Sequence, residues 1–305
     1  MPRPRDRGHP CRHEAVWEHA PTVISVPEPT APIGVFDSGV GGLTVLHELL
    51  VALPQEDFLY LGDSARFPYG DRTAPQLRAF SRQIADILLE RQVKLIVVAC
   101  NSATSSAIDD LPRHVAQRGY DVDVIGVVGP ESNLAVAHTD NGRIGVLATP
   151  ATIASGAYER AVLAADPLVR LTSVPCAELA QISQTGAPIT ERDVELAREY
   201  CAPLRAAGVD TVILGCTHYP FVRALLQRLL GPGVTLVTSG TAIARRVGHA
   251  LARKDLATPR SRETEGRYSF LCTGDAVAFA EIGTRFLQLP MGVVDHVELP
   301  LEVLT

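Results

Sequence analysis

VILGCTHYP, residues 212–220, and LIVVACNSA, residues 95–103, decide the fold. Each is a short, continuous apolar run that ends in a cysteine and opens into a helix start. A run of this length without polar alternation predicts a parallel strand buried on both faces. The thiol stands where the chain leaves the sheet; a cysteine acting only as a small buried hydrophobe would more naturally lie inside the run. The same grammar extends outward in both directions. IGVF (33–36) precedes LTVLHELLVALP, DFLYLGD (57–63) precedes QLRAFSRQIADILLERQ, VIGVVG (124–129) precedes ESNLAVAHT, RIGVLAT (143–149) precedes ATIASGAYERAVLAA, and VTLVTSG (234–240) precedes TAIARRVGHALAR. Short apolar strands alternating with amphipathic stretches predict an α/β fold with mainly parallel sheets flanked by helices.

The chain also repeats itself. IGVFDSGVGGLTV at 33 resembles IGVLATPATIASG at 144, and VKLIVVACNSAT at 93 resembles VDTVILGCTHYP at 209. The separations are close, 67 residues from Ile33 to Cys100 and 72 from Ile144 to Cys216. Two matched blocks in the same order indicate an internal duplication, and hence two pseudo-symmetric domains. In open parallel sheets the ligand crevice lies outside the carboxyl ends of the strands. Cys100 and Cys216 both stand at such ends, so halves packed face to face would direct two thiols into one interdomain cleft.

Length and composition bound the rest. At 305 residues there is room for about two domains. The net charge of −6 gives no electrostatic reason to expect nucleic acid or an anionic membrane as partner. No apolar run reaches the ~20 residues of a bilayer span. The six cysteines are widely spaced, with no C-x-x-C, which favours reduced thiols in a cytoplasmic protein. Residues 1–30 lack helical or strand periodicity and read as a disordered extension, or as an upstream extension of the reading frame, not a secretory signal. Lys94 and Lys254 are the only lysines. Lys94 precedes its strand and Lys254 lies on a charged helix end, so neither suits a pyridoxal phosphate Schiff base. C-x-H at 216–218 is too sparse for zinc, and no metal is expected.

Two opposed thiols suggest stereoinversion. One base removes a proton from one face of a carbon while the other delivers a proton to the opposite face, and the roles exchange in reverse. Each thiol precedes a helix start, with Ser102 a candidate N-cap and Pro220 a candidate first helical residue. Helix N-termini favour thiolate, which predicts lowered thiol pKa values. His218 stands two residues beyond Cys216, in reach as a proton relay. DSGVGG (37–42) is a glycine-rich strand-to-helix turn able to bring backbone N–H groups to an anion. Asp37 can pair with an ammonium, while Asn101, Ser102 and Thr217 offer hydrogen bonds to carboxylates.

These residues resemble the cofactor-independent glutamate racemases. The matching segments are GVFDSGVGGLTVL (34–46), YLGDSARFPYG (60–70), VVACNSAT (97–104), LATPATIASGAY (147–158), LGCTHYP (214–220) and FLCTGD (270–275). The likeness runs from about residue 32 to the end. It implies that Cys100 and Cys216 exchange the proton, that Asp37 and His218 assist them, with Asp63 a weaker candidate, and that Asp37, Ser38, Tyr69, Gly70, Asn101, Ser102, Thr217 and His218 hold L- or D-glutamate. It further implies no cofactor, a role in supplying D-glutamate for peptidoglycan, and a homodimer. Two departures stand out. CNSAT replaces the family's frequent CNTAT, and Gln184 in CAELAQISQTG (176–186) replaces a frequent glutamate, which puts the proton relay to the second thiol in question. Cys176, Cys201 and Cys272 read as packing residues.

With the resemblance, the expected division is 31–122 plus 235–305 for the first domain and 123–234 for the second. Three rival functions remain. A related aspartate or hydantoin racemase would share the thiol pair, and DSGVGG and PYG favour glutamate over it. A Cys–His hydrolase built on Cys216 and His218 leaves Cys100 unexplained. A non-catalytic amino-acid-binding protein needs neither cysteine.

Overall fold

The computed structural model describes residues 25–261 and 263–299. The chain lays down β1 (Ile33–Asp37), β2 (Phe58–Gly62), β3 (Leu95–Val98), β4 (Asp123–Gly126), β5 (Arg143–Ala148), β6 (Arg170–Pro175), β7 (Thr211–Gly215), β8 (Thr235–Val237), β9 (Tyr268–Cys272) and β10 (Val294–His296). They form two sheets, β10-β9-β2-β1-β3-β4 and β6-β5-β7-β8, and every pairing is parallel. The duplication is visible in the topology. The order β2-β1-β3-β4 in one sheet matches β6-β5-β7-β8 in the other, and β9 and β10 extend the first sheet beyond β2.

Parallel strands need crossovers, and helices supply them. Between the strands run α1 (Leu43–Ala52), α2 (Ala74–Glu90), α3 (Asn101–Ala107), α4 (Leu111–Gln117), α5 (Val128–His138), α6 (Pro150–Ala154), α7 (Ala157–Ala165), α8 (Leu179–Thr185), α9 (Glu191–Ala207), α10 (Arg223–Leu230), α11 (Ser239–Arg253) and α12 (Ala276–Leu287). Alternate strand residues face opposite layers. Ile33 and Val35 of β1 pack with Leu43, Leu46 and Leu49 of α1 and Ile243 and Val247 of α11. Phe36, on the other face, packs with Leu77, Phe80, Ile84 and Leu88 of α2. In the second sheet Val212 and Leu214 face Leu204 of α9 and Leu226 of α10, while Ile213 faces Val162 of α7. Full burial of each such side chain contributes about 1.5–3 kcal/mol. The longest helices are bounded by local chemistry. Thr73 and Gln76 close a capping box on α2, as Thr190 and Asp193 do on α9, and α9 ends on Gly208 at φ 65°.

Two expected boundaries shift. β4, placed by the sequence in the second domain, pairs with β3 of the first sheet, and β8, placed in the first domain, pairs with β7 of the second. Both are edge strands, and the chain changes sheet in the helix that follows each, α5 and α11. Part of the expected disordered extension is also ordered. Ser25 N–H donates to Gly119 O at 2.8 Å and Asp121 N–H to Ser25 O at 3.1 Å. Lys94, buried and ion-paired with Glu56 at 2.5 Å, donates to Pro29 O. This segment offers its carbonyls to β4's neighbourhood and to a buried cation, which fixes it. Residues 1–24, with Cys11, lie outside the described residues. Among the described residues no helix is long and apolar enough to cross a membrane.

Candidate active site

Because all strands of a sheet run the same way, their carboxyl ends share one edge, and the two edges face each other. Asp37 ends β1, Cys100 follows β3 by two residues, Ala148 ends β5, and Cys216 directly follows β7. Both thiols line one cavity of about 30 Å³, with Ser38, Tyr69, Gly70, Asn101, Ser102, Thr217 and His218. The residues expected to hold substrate therefore meet here, except that Asp37 stands behind the wall; Asp63, the weaker candidate, and Gln184 lie outside the lining as well. A larger groove of about 900 Å³, lined by Arg160, Arg245 and Arg246 among others, contains neither cysteine.

The glycine-rich turn works differently from the expectation. Its anion is Asp37 itself. Gly42 N–H donates to Asp37 Oδ2 at 2.7 Å, and Thr217 Oγ1 approaches the same oxygen at 3.5 Å. Asp37 Oδ1 is buried with no hydrogen-bond partner among the described residues. Burial pushes the Asp37 carboxyl up, opposed by the Gly42 amide and the Cys100 thiol beside it. The glycines are needed for contact: a Cβ on Gly41 would overlap Thr217 and the His218 ring, and one on Gly42 would meet Asp37 and Tyr60.

On the opposite side, His218 Nδ1 lies 3.9 Å from Cys216 Sγ, and Nε2 lies 2.7 Å from Gln184 Oε1. The amide oxygen accepts the Nε2 proton, which leaves Nδ1 as an acceptor facing the thiol. Phe67 and Phe286 enclose the ring at centroid distances of 5.4 and 5.3 Å. Burial, followed by the charge of Arg285, lowers His218 to about 3. Gln184 thus contacts the imidazole of His218, the group whose expected relay role its departure from the family put in question.

The thiols also correct an expectation. Their helix starts do not lower their pKa values. Desolvation wins: Cys216 is pushed up to about 12, and Cys100 is also raised well above its ordinary value, chiefly by burial and then by Asp37. Cys100 itself occupies the N-cap of α3, and Ser102, the expected cap, lies within the helix. Its hydroxyl instead meets Thr149 at 2.9 Å and Thr152 at 3.2 Å. Pro220 falls in a short 3₁₀ turn, Tyr219–Val222, ahead of α10.

Tyr69 is present in the wall, but its hydroxyl is committed to Asp63. That carboxylate also takes Arg66 Nε at 2.6 Å and Thr273 Oγ1 at 2.7 Å. Asp63 is therefore engaged in holding the PYG loop and does not line the cavity. Cys176, Cys201 and Cys272 are buried outside the cavity wall.

Sequence reading missed two groups. Thr149 lines the cavity and is the repeat-equivalent of Ser38, so aligning IGVLAT on IGVFDS would have found it. Glu131, wholly buried, accepts from Asn101 Nδ2 at 3.1 and 3.3 Å, from Tyr158 and from Ser239. Burial raises its carboxyl to about 7, with those three donors pulling it back. Nothing in ESNLAVAHT marks it.

This arrangement has counterparts. Residues 37–247 match the family model described as Asp/Glu/Hydantoin racemase. The glutamate racemase of Mycobacterium tuberculosis (strain ATCC 25618 / H37Rv) is 43% identical over 269 residues, spanning 88% of this chain and 97% of that protein. Among solved structures, glutamate racemase isoform RacE1 of Bacillus anthracis superposes with a TM-score of 0.83 at 33% identity, covering 90% of this chain and 100% of its own. The glutamate racemase of Francisella tularensis, solved in complex with D-glutamate, gives 0.80 at 31% identity, covering 88% and 98%. With two opposed cysteines at matching strand ends, a parallel fold shared along its length and this degree of identity, the chain belongs to the Asp/Glu/Hydantoin racemase family, among its glutamate racemases.

Proposed function

We propose that this protein interconverts L- and D-glutamate by exchanging the α-proton between Cys100 and Cys216. One observation carries the reading: two thiols, from equivalent places in duplicated halves, line the same small cavity. In one direction a thiolate on one side abstracts the α-proton and the thiol opposite reprotonates the carbanion on its other face. In the other direction the roles exchange. Each thiol needs an acceptor for its own proton, since burial disfavours thiolate. Asp37, raised toward protonation and beside Cys100, serves one, and the neutral Nδ1 of His218 serves the other. The substrate ammonium supplies the compensating positive charge, which favours both the thiolate and the carbanion.

Among the described residues the cavity wall holds no Lys or Arg. The carboxylates are held by neutral donors, the hydroxyls of Ser38, Ser102, Thr149 and Thr217 and backbone N–H groups around them. Such donors orient an anion without quenching a carbanion's need for the nearby ammonium. The reading requires no cofactor. By family resemblance, we also propose that a cytoplasmic homodimer makes D-glutamate for peptidoglycan.

The test is exchange in D₂O. L-Glutamate and D-glutamate are incubated separately with the wild type, Cys100→Ala and Cys216→Ala, then analysed by NMR and chiral chromatography. The wild type yields inverted product carrying deuterium at Cα. Each variant loses racemisation by at least a thousandfold. Absence of both exchange and inversion in the wild type would refute the glutamate reading, and retained racemisation in either variant would refute the two-thiol route.

A further inference from the structure

We infer that Glu131 is a positioning residue for racemisation: its buried carboxylate turns the Asn101 amide so that nitrogen points into the protein and oxygen is presented to the substrate ammonium. This rests on the reading of the cavity as a glutamate racemase site. The geometry of the amide is decided by chemistry. A carboxylate offers oxygens, and Asn101 Nδ2 lies 3.1 and 3.3 Å from the two of them and 2.7 Å from Tyr158 OH. With Glu131 ionised, reversing the amide would set acceptor Oδ1 against both carboxylate oxygens, which already receive the Tyr158 and Ser239 hydroxyls, so Nδ2 is the matching group. In the observed orientation Oδ1 is buried and has no hydrogen-bond partner among the described residues. Asn101 lines the cavity directly after Cys100. A desolvated amide oxygen without a donor, in the wall of an amino-acid site, is matched by the three N–H groups of an α-ammonium.

The carboxylate is itself held from several sides. Glu131 belongs to α5, Ser239 to the first turn of α11, Tyr158 to α7 and Asn101 to α3. Helices α5 and α11 are the two segments in which the chain passes between the sheets. The orientation of one substrate-facing amide is therefore set at the junction of the two halves. Glu131 reaches no cavity surface of its own, so it acts through Asn101.

Steady-state kinetics on the full chain with L- and D-glutamate test this. In Glu131→Leu the amide is released, and KM rises at least tenfold for both enantiomers while kcat stays within threefold. Glu131→Gln, whose Oε1 still accepts from Asn101, recovers KM to within threefold of wild type. In an Asn101→Ala background, adding Glu131→Leu changes KM less than twofold, because the group it acts through is gone. If Glu131→Leu does not fold, Tyr158→Phe takes its place, with a KM rise of at least threefold that disappears in the Asn101→Ala background. A KM within twofold of wild type in the folded variant, or a rise that persists in full without Asn101, would overturn the positioning role while leaving the racemase reading intact. A wild type that racemises neither enantiomer would overturn both.

Discussion

Gln184→Glu isolates the electrostatics of the relay proposed for the second thiol. The substitution places a carboxylate where Gln184 Oε1 now stands, 2.7 Å from His218 Nε2. With charge centres ~4 Å apart and an effective dielectric constant near 20, the attraction between carboxylate and imidazolium is about 4 kcal/mol. Two effects reduce it. The carboxylate is itself half-buried at this position and loses hydration. Arg285, which donates to Gln184 O at 2.8 Å, competes for its field. What remains matches the one to three pK units that a close opposite charge produces. The sign is upward, because the carboxylate favours the charged imidazole. His218 then moves from about 3 to roughly 4–6. The assay is a ¹⁵N-histidine titration between pH 4 and 8, with His218→Asn to assign the resonance. In the wild type His218 stays neutral throughout, with its proton on Nε2. In Gln184→Glu the same resonance titrates inside the window. Failure to titrate above pH 4 in the variant, or a proton on Nδ1 in the wild type, would refute the tautomer argument. Enantiomers have equal free energies, so any change in kcat/KM has to be the same factor for L- and D-glutamate, whichever direction uses Cys216 as base.

Gly41→Ala forces a methyl to within 2.5 Å of the His218 ring; overpacking of this kind costs about 1–3 kcal/mol and misplaces the relay, lowering kcat/KM on the order of a hundredfold. Thermal melts and kinetics check it, and unchanged kcat/KM would contradict the close approach. Stability should also depend on pH through Glu131, whose folded pKa of about 7 lies above its ordinary 4.5. That contribution, about 3 kcal/mol, is complete below ~4.5 and is lost as pH rises through ~7. Urea unfolding from pH 4.5 to 8 should show the decline in the wild type and a flatter profile in Glu131→Gln; parallel profiles would contradict it.

Strand identity was legible because a parallel sheet buries both faces, so each strand reads as a compact apolar run. The domain boundaries were not, because β4 and β8 are edge strands whose neighbours are chosen in space, and their sequences look the same in either sheet. The residues 25–30 were equally opaque, since they are held by backbone pairing and by the buried Lys94, neither of which leaves a pattern in composition. The thiol pKa values were misjudged for a related reason. A helix start is visible in sequence, whereas the depth at which it is buried is not, and for Cys100 and Cys216 burial outweighs the helix end.

The duplication itself explains what a repeat-based reading can find in this site. Aligning the halves puts Cys100 on Cys216, Ser38 on Thr149 and Asn101 on Thr217, and all six line the cavity. The same alignment puts Asp37 on Ala148 and Ser102 on His218, so the groups proposed to accept the thiol protons have no twins. The two faces of a planar carbanion are mirror images, but two copies of an L-chain related by a rotation are not. Identical assisting residues on both sides would therefore not give equivalent proton paths. The halves meet the requirement with different groups: a carboxylate behind the first thiol, and an imidazole two residues beyond the second, tied to Gln184 from α8. Glu131 also lacks a matching carboxylate: it sits in the crossover helix α5, whose counterpart α11 supplies Ser239 as one of its donors instead. Symmetry makes the thiols and hydroxyls predictable from one another, and what departs from symmetry emerges only where the folded halves meet.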